Sequence, residues 1–407
     1  MFGRKVCLFF LSLFLISALV FAGGSRQSGS GASSSGKKTV TFWFYMENQL
    51  QQEVLKKAIE GFNSSQNDIV AVSRYVPFAD FKRQLSIGVV SAELPDIVII
   101  DGPDHASYAA MGIFADVTGK IDISQYYDGP MASCSLDNKV YGVPFGSNCL
   151  ALYYNKDMLN AAGVSVPGTW DELRDVARKL TSNRVRGIAF SSVQNEEGTF
   201  NFMPWLWSTG TNSFQINNPQ GIRALTFVGD LVRDGSMPRE AINWTQGDVN
   251  NQFIAGNIAM MVNGPWQIPT IRKEAPNLNW DVALIPRDAK FASVLGGENW
   301  AIINNDNAAA SIEFIKYMSS PAVVRSYISE FGYIAARKDV ATTQFQANDV
   351  MMKFTDQLQY ANPRGPHARW PEISDAISLA FNEVITQAAT PAQAAAKAQG
   401  TIDRIVR

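Results

Sequence analysis

Histidine and cysteine are scarce in this sequence: two histidines and three cysteines stand among 407 residues. Zinc sites need clustered Cys and His ligands, so His105, His367 and the scattered cysteines offer no metal site. A Ser-His-Asp triad would have to use one of those two histidines. His105 follows an expected strand, yet no serine nucleophile accompanies it, and neither Gly-x-Ser-x-Gly nor His-Glu-x-x-His occurs. Charge is balanced as well. The net value is −2 and no basic stripe is present, which argues against nucleic acid or an anionic membrane as a partner. "GASSSGKK" (31–38) approaches a phosphate-binding loop, but lacks Ser or Thr after Gly-Lys and has no strand leading into it. Neither a metal nor a cofactor is expected. One enzymatic pattern remains open: two carboxylates drawn from Glu47, Asp101 and Glu298, acting as the acid and base of a secreted glycosidase. With so little catalytic equipment, the expected class is a non-enzyme.

The N-terminus has a clearer signal. Arg4 and Lys5 precede an apolar run from Val6 to Val20, and Val20-Phe21-Ala22 has the small outer residues of a cleavage site. Residues 1–22 are therefore expected to be a signal peptide, too short in its apolar part to span a bilayer. Residues 23–38 read as a flexible Gly/Ser tether. Cys7 lies too early to be lipidated after cleavage at Ala22, so the sequence does not support a lipid anchor. A periplasmic or otherwise extracytoplasmic protein is expected. Export would permit a disulfide between Cys134 and Cys149, but the turn at Asp137-Asn138 pairs Cys134 with the neighbourhood of Tyr141 instead.

At 407 residues, 46% of them apolar, the chain is an ordinary globular mixture long enough for more than one core, and two or three domains are expected. "TVTFWFY" (39–45) reads as a strand, with Trp43 in its core pattern; Val54, Leu55, Ala58, Ile59 and Phe62 then follow helical spacing. "PDIVII" (95–100) has the unbroken apolar character of a buried parallel strand. Thr169 and Glu172 form a capping box, and Thr390-Pro391-Ala392-Gln393 repeats that logic. Strands alternating with helices predict an α/β fold.

Aromatic and polar residues gather where strands are expected to end: Tyr45, Glu47 and Asn48; Asp101; Trp266 after "MMVNGP"; Glu298, Asn299 and Trp300; and Trp370 in a loop. In open parallel sheets, ligands bind at the carboxyl ends of strands. A sugar ring has apolar C–H faces that aromatic rings cover and a rim of hydroxyls that Asp, Glu and Asn bind.

Several segments together resemble the extracytoplasmic solute-binding proteins of ABC importers, specifically the maltose-binding-protein-like sugar group. They are "LPDIVIID…YAAMGIF" (94–114), "YGVPFGSNCLALYYNKDMLNAAGVSVPGTWDELRDVARKL" (141–180), "FIAGNIAMMVNGPW" (253–266), "AASIEFIKYMSSP" (309–321) and "FGYIAARKDV" (331–340). The resemblance implies a periplasmic-binding-protein-like fold: two αβ lobes joined by hinge crossings, with a ligand cleft between them. It implies an N-lobe of residues 39–146 and 301–349 and a C-lobe of 150–299 and 350–407, with crossings at 147–149 and about 300. It further implies a monomer that hands a carbohydrate to a membrane permease with cytoplasmic ATPases. Mapped onto matching positions, the ligand-binding residues would be Tyr45, Glu47, Asn48, Asp101, Asn148, Phe200, Trp266, Glu298, Asn299 and Trp370. Asn148 stands where the maltose-type pattern has a carboxylate, which argues against maltose itself. A glycerol-phosphate, glycerophosphodiester or polyol receptor of the same fold is the alternative, kept open by Arg364 and Arg369 beside Trp370.

Overall fold

The computed structural model describes residues 36–345, 350–365 and 367–407. The expected signal peptide and all but the last three residues of the expected tether lie outside these, as does Cys7. Two sheets organise the described chain. The first runs in the order Ile69–Tyr75, Lys38–Phe44, Ile97–Asp101, Glu298–Ile302, Gly142–Pro144. Its first three strands are parallel and are linked through the helices Gln49–Ser65 and Phe78–Ser91. A parallel strand covered on both faces needs apolar side chains throughout, and Ile97–Asp101 is buried along its whole length. Glu298–Ile302 rejoins this sheet from far along the chain, antiparallel to Ile97–Asp101, and its register sets Glu298 beside Asp101.

The second sheet runs Trp280–Ala283, Ala151–Asn155, Ile258–Asn263, Arg186–Ala189. A three-stranded sheet of Ala361–Pro363, Ser293–Gly296 and Asn148–Cys149 accompanies it. Apolar burial divides in the same manner. One core gathers Phe42, Ile99, Trp300 and Phe314; another gathers Leu152, Phe190, Trp205 and Phe381; a smaller one surrounds Tyr153 and Phe354. Trp43 is buried in the first core. The chain passes from the first sheet to the others at 145–147 and back at 297. These two passages touch. Gly297 has φ +136°, and a Cβ there would lie 2.3 Å from the carbonyl oxygen of Gly146, so only glycine fits.

Local signals in the sequence have their expected counterparts. Thr169 and Glu172 close a capping box on the helix Trp170–Leu180, and Thr390 with Gln393 does so on Pro391–Val406. Asp137 and Asn138 both take positive φ in the turn that joins Ser135–Leu136 to Lys139–Val140. Cys134 and Cys149 are both free and buried.

Candidate ligand-binding site

Strand ends from both sheets border a cavity of about 400 Å³. Tyr45 and Glu47 follow the strand Lys38–Phe44, Asp101 ends Ile97–Asp101, and Glu298 begins Glu298–Ile302. From the other side come Asn148, Phe200 on the helix Glu196–Ser208, and Trp266 beyond Ile258–Asn263. Together with Asn48, these are eight of the ten residues expected from the sequence.

The structure places Asn299 and Trp370 elsewhere. Side chains alternate along a strand, so Asn299 faces away from Glu298 and donates from its amide to Ser133 Oγ at 3.0 Å. Trp370 opens the helix Trp370–Ile385 with no exposed surface, packed in the second core, and its indole N–H donates to Glu196 at 3.1 Å. Asn48 lines the cavity, but its polar atoms are engaged: Oδ1 caps the helix Gln49–Ser65 by accepting from Leu50 N, and the amide donates to Thr270 Oγ1.

Trp266 is set by a rigid turn. Asn263 Oδ1 accepts from Gly264 N at 2.9 Å, and the buried Tyr153 hydroxyl donates to Gly264 O at 2.7 Å. A Cβ at residue 264 would lie 2.0 Å from the indole, so the ring folds back over a glycine. Half-buried, Trp266 packs against apolar residues of both main cores and meets Phe200 and Tyr333 at ring-centre distances of 6.2 and 6.3 Å.

A buried ion cluster forms one wall. Arg364 grips Asp101 through two bonds of 2.7 and 2.8 Å and reaches Glu196 at 2.5 Å. Its guanidinium lies 4.4 Å from the Phe200 ring centre. Behind it, Lys82 pairs with Asp104 at 2.9 Å. Burial works against the Lys82 charge, but Asp104 and Glu196 outweigh it and hold the ammonium protonated. Burial also pushes Asp104 up to about 7, against the pull of Lys82. These groups come from both sides: Lys82, Asp101 and Asp104 from elements of the first sheet and its helices, Glu196 and Arg364 from the remainder.

Glu298 is set differently. Its Oε1 accepts from the hydroxyls of Tyr333 at 2.9 Å and Tyr45 at 3.3 Å, while Oε2 is buried without a partner among the described residues. Burial, with the Asp101 charge added, pushes its pKa up to about 8. Glu197, whose carboxylate accepts from Gln246 N, is raised by burial to about 7. Buried atoms on lining residues that lack partners are Asn148 Oδ1, Asn250 Oδ1, Glu298 Oε2 and Arg364 Nε.

Glu196, Glu197, Tyr333 and Arg364 join the site without having been picked as binding residues from the sequence. The sequence marks Arg364, with Arg369, only as support for a phosphorylated ligand. Glu196 and Glu197 follow Asn195, which caps their helix, and first-turn carboxylates of that kind are ordinary helix chemistry. Tyr333 stands in the quoted "FGYIAARKDV" segment, the one available hint. Arg369 pairs with Glu372 at 2.6 Å and is not among the lining residues.

Two αβ lobes joined by paired crossings, with a polar and aromatic cavity between strand ends, define the periplasmic-binding-protein class. The chain belongs to the bacterial extracellular solute-binding protein family, whose pattern it matches over residues 57–353. It is similar to the multiple sugar-binding protein of Streptococcus mutans, 22% identical over 381 residues that cover 88% of this chain and 89% of that protein. Among solved structures it is similar to an ABC transporter solute-binding protein of Thermotoga lettingae bound with α-D-tagatose: 27% identity, TM-score 0.84, covering 91% of this chain and 100% of that one. It is also similar to the GacH receptor of Streptomyces glaucescens, solved unliganded and with acarbose: 26% identity, TM-score 0.82, 91% and 98% coverage.

Proposed function

We propose that the chain is the extracytoplasmic substrate-binding component of an ABC importer, taking a sugar or short oligosaccharide in its cavity and presenting it to a membrane permease. The observation that carries this reading is the pairing of the half-buried Trp266 indole with the unpartnered polar atoms Asn148 Oδ1 and Glu298 Oε2 around one cavity. A sugar ring supplies an apolar face for the indole and hydroxyls that donate or accept for the polar atoms, and a buried polar atom left unmatched is costly. The similar proteins named for sugar binding support the same ligand class.

A phosphorylated ligand fits less well. Seven carboxylates line the cavity against two cations, Lys273 and Arg364, and the Arg364 guanidinium is held by Asp101 and Glu196. We assign hinge motion to the passages at 145–147 and 297, beside the crossings expected at 147–149 and about 300, with residues 39–144 and 298–345 moving against 150–296 and 350–407. Glu298 and Asn299, expected in the second lobe, ride with the first sheet, and the expected boundary at 349 lies outside the described residues. Ligand contacts made with both lobes would favour the closed form. Residues 1–22 would direct export, and the mature chain would act as a monomer without catalytic turnover.

A thermal-shift screen of sugars, polyols and their phosphates tests the assignment, since a ligand of the native state raises apparent stability. A neutral or aminated sugar should raise Tm while its phosphate ester does not, and oligosaccharides recovered after incubation should be intact. A shift confined to phosphate esters, or cleaved product, would overturn it.

A further inference from the structure

The cavity has more carboxyl groups than its cations can pair. Beyond the Asp101 and Glu196 pair held by Arg364, its walls include Glu47, Glu197, Asp248, Glu274 and Glu298, with Lys273 the single remaining lining cation. Of these, Asp248 is spent in the capping box of the helix Gln246–Ile254. Glu298 is not spent. It is 8% exposed, has Oε2 without a partner among the described residues, and borders the cavity beside Asn148, whose Oδ1 is likewise unpartnered. The Trp266 and Tyr333 rings, 6.3 Å apart, belong to the same wall. Unpartnered acceptors, a carboxylate and aromatic rings are the groups that hold a desolvated ammonium, through charge-assisted hydrogen bonds and cation–π attraction.

From this we infer that the ligand is a saccharide bearing an ammonium group, and that Glu298 with Asn148 receives that group next to Trp266 and Tyr333. The inference rests on the proposed sugar-binding function and narrows its ligand to amino sugars. Charge complementarity supports it: Asp101 repels the Glu298 carboxylate, and an ammonium held by Glu298 offsets that repulsion, whereas a neutral sugar leaves it in place. Around Glu298 the charged and titratable groups are Asp101, Arg364, Tyr45 and Tyr333. The Arg364 charge is shared by Asp101 and Glu196, so Glu298 has no dedicated counter-ion.

The test is calorimetric titration of the full mature chain with a glucosamine disaccharide, its N-acetylated form and cellobiose, near pH 6.5. The glucosamine disaccharide should bind at least about tenfold tighter than the other two, the size of effect expected of one ammonium in such a site. Its binding should also release a proton, read from the dependence of heat on buffer ionisation. Glu298→Gln keeps the shape and should remove both the preference and the proton release, so that the glucosamine disaccharide binds no tighter than the two uncharged sugars. Equal or tighter binding of the N-acetylated form or cellobiose would overturn the inference and leave the sugar-receptor function standing. Equal binding of spermidine, which has no ring, would overturn the saccharide half of it. Failure of every sugar in a wider screen would overturn the underlying function.

Discussion

Trp266 keeps part of its indole exposed at the cavity, whereas Trp370 has none exposed and spends its N–H on Glu196. Alanine at each position separates ligand platform from core. Trp370→Ala should destabilise the unliganded protein by about 3–5 kcal/mol, the cost of emptying a large buried site. Urea unfolding would measure it. Trp266→Ala should cost only about 1 kcal/mol in the same experiment but weaken ligand binding at least about tenfold, as loss of an aromatic anchor does. An equally large stability loss at Trp266 would make it core instead. Sequence could not tell these two tryptophans apart, because both follow loops that contain proline and glycine. The distinction lies in what surrounds each ring once distant segments assemble.

At the scale of elements, the signals that are local in sequence were legible. The apolar run at 95–100, the turn at Asp137-Asn138 and both capping boxes each depend on neighbours within a few residues, and each has its counterpart in the structure. What was not legible is the partnership of Glu298–Ile302 with Ile97–Asp101, two strands almost two hundred positions apart in the chain. That pairing puts Glu298 in the cavity and turns its neighbour Asn299 away. The passage before it supplies a further prediction. Gly297→Ala forces a side chain into a left-handed conformation and against Gly146 O, so it should cost on the order of 1–3 kcal/mol or more. Thermal melting of the variant would read this cost; an unchanged Tm would mean that the two passages do not need their close contact.

Across the whole molecule, the buried carboxyls link stability to pH. Burial raises Glu298 to about 8 and Glu197 and Asp104 to about 7. Each therefore holds its proton more tightly folded than unfolded. The native state binds more protons than the unfolded chain above the ordinary carboxyl range, so unfolding free energy must fall as pH rises through about 5 to 8. The melting temperature of the unliganded protein should drop across that window, and Glu298→Gln should flatten the upper part of the drop. A Tm that climbs between about pH 5.5 and 8.5 would show that these carboxyls are ionised in the fold.

Composition and motif scarcity in the sequence pointed away from metal and nucleotide chemistry, periodicity set the α/β pattern, and the ordered family segments carried the two-lobed class. These are properties of residue type and of spacing along the chain, so they survive without coordinates. The tertiary structure alone decided which loop residues meet. Arg364 joins Asp101 from 263 positions away, and Tyr333 joins Glu298 across 35. Whether a carboxylate is paired, spent on a cap or left facing a cavity depends on such contacts, because burial and the nearest charge set its cost and its proton. Linear spacing holds neither quantity.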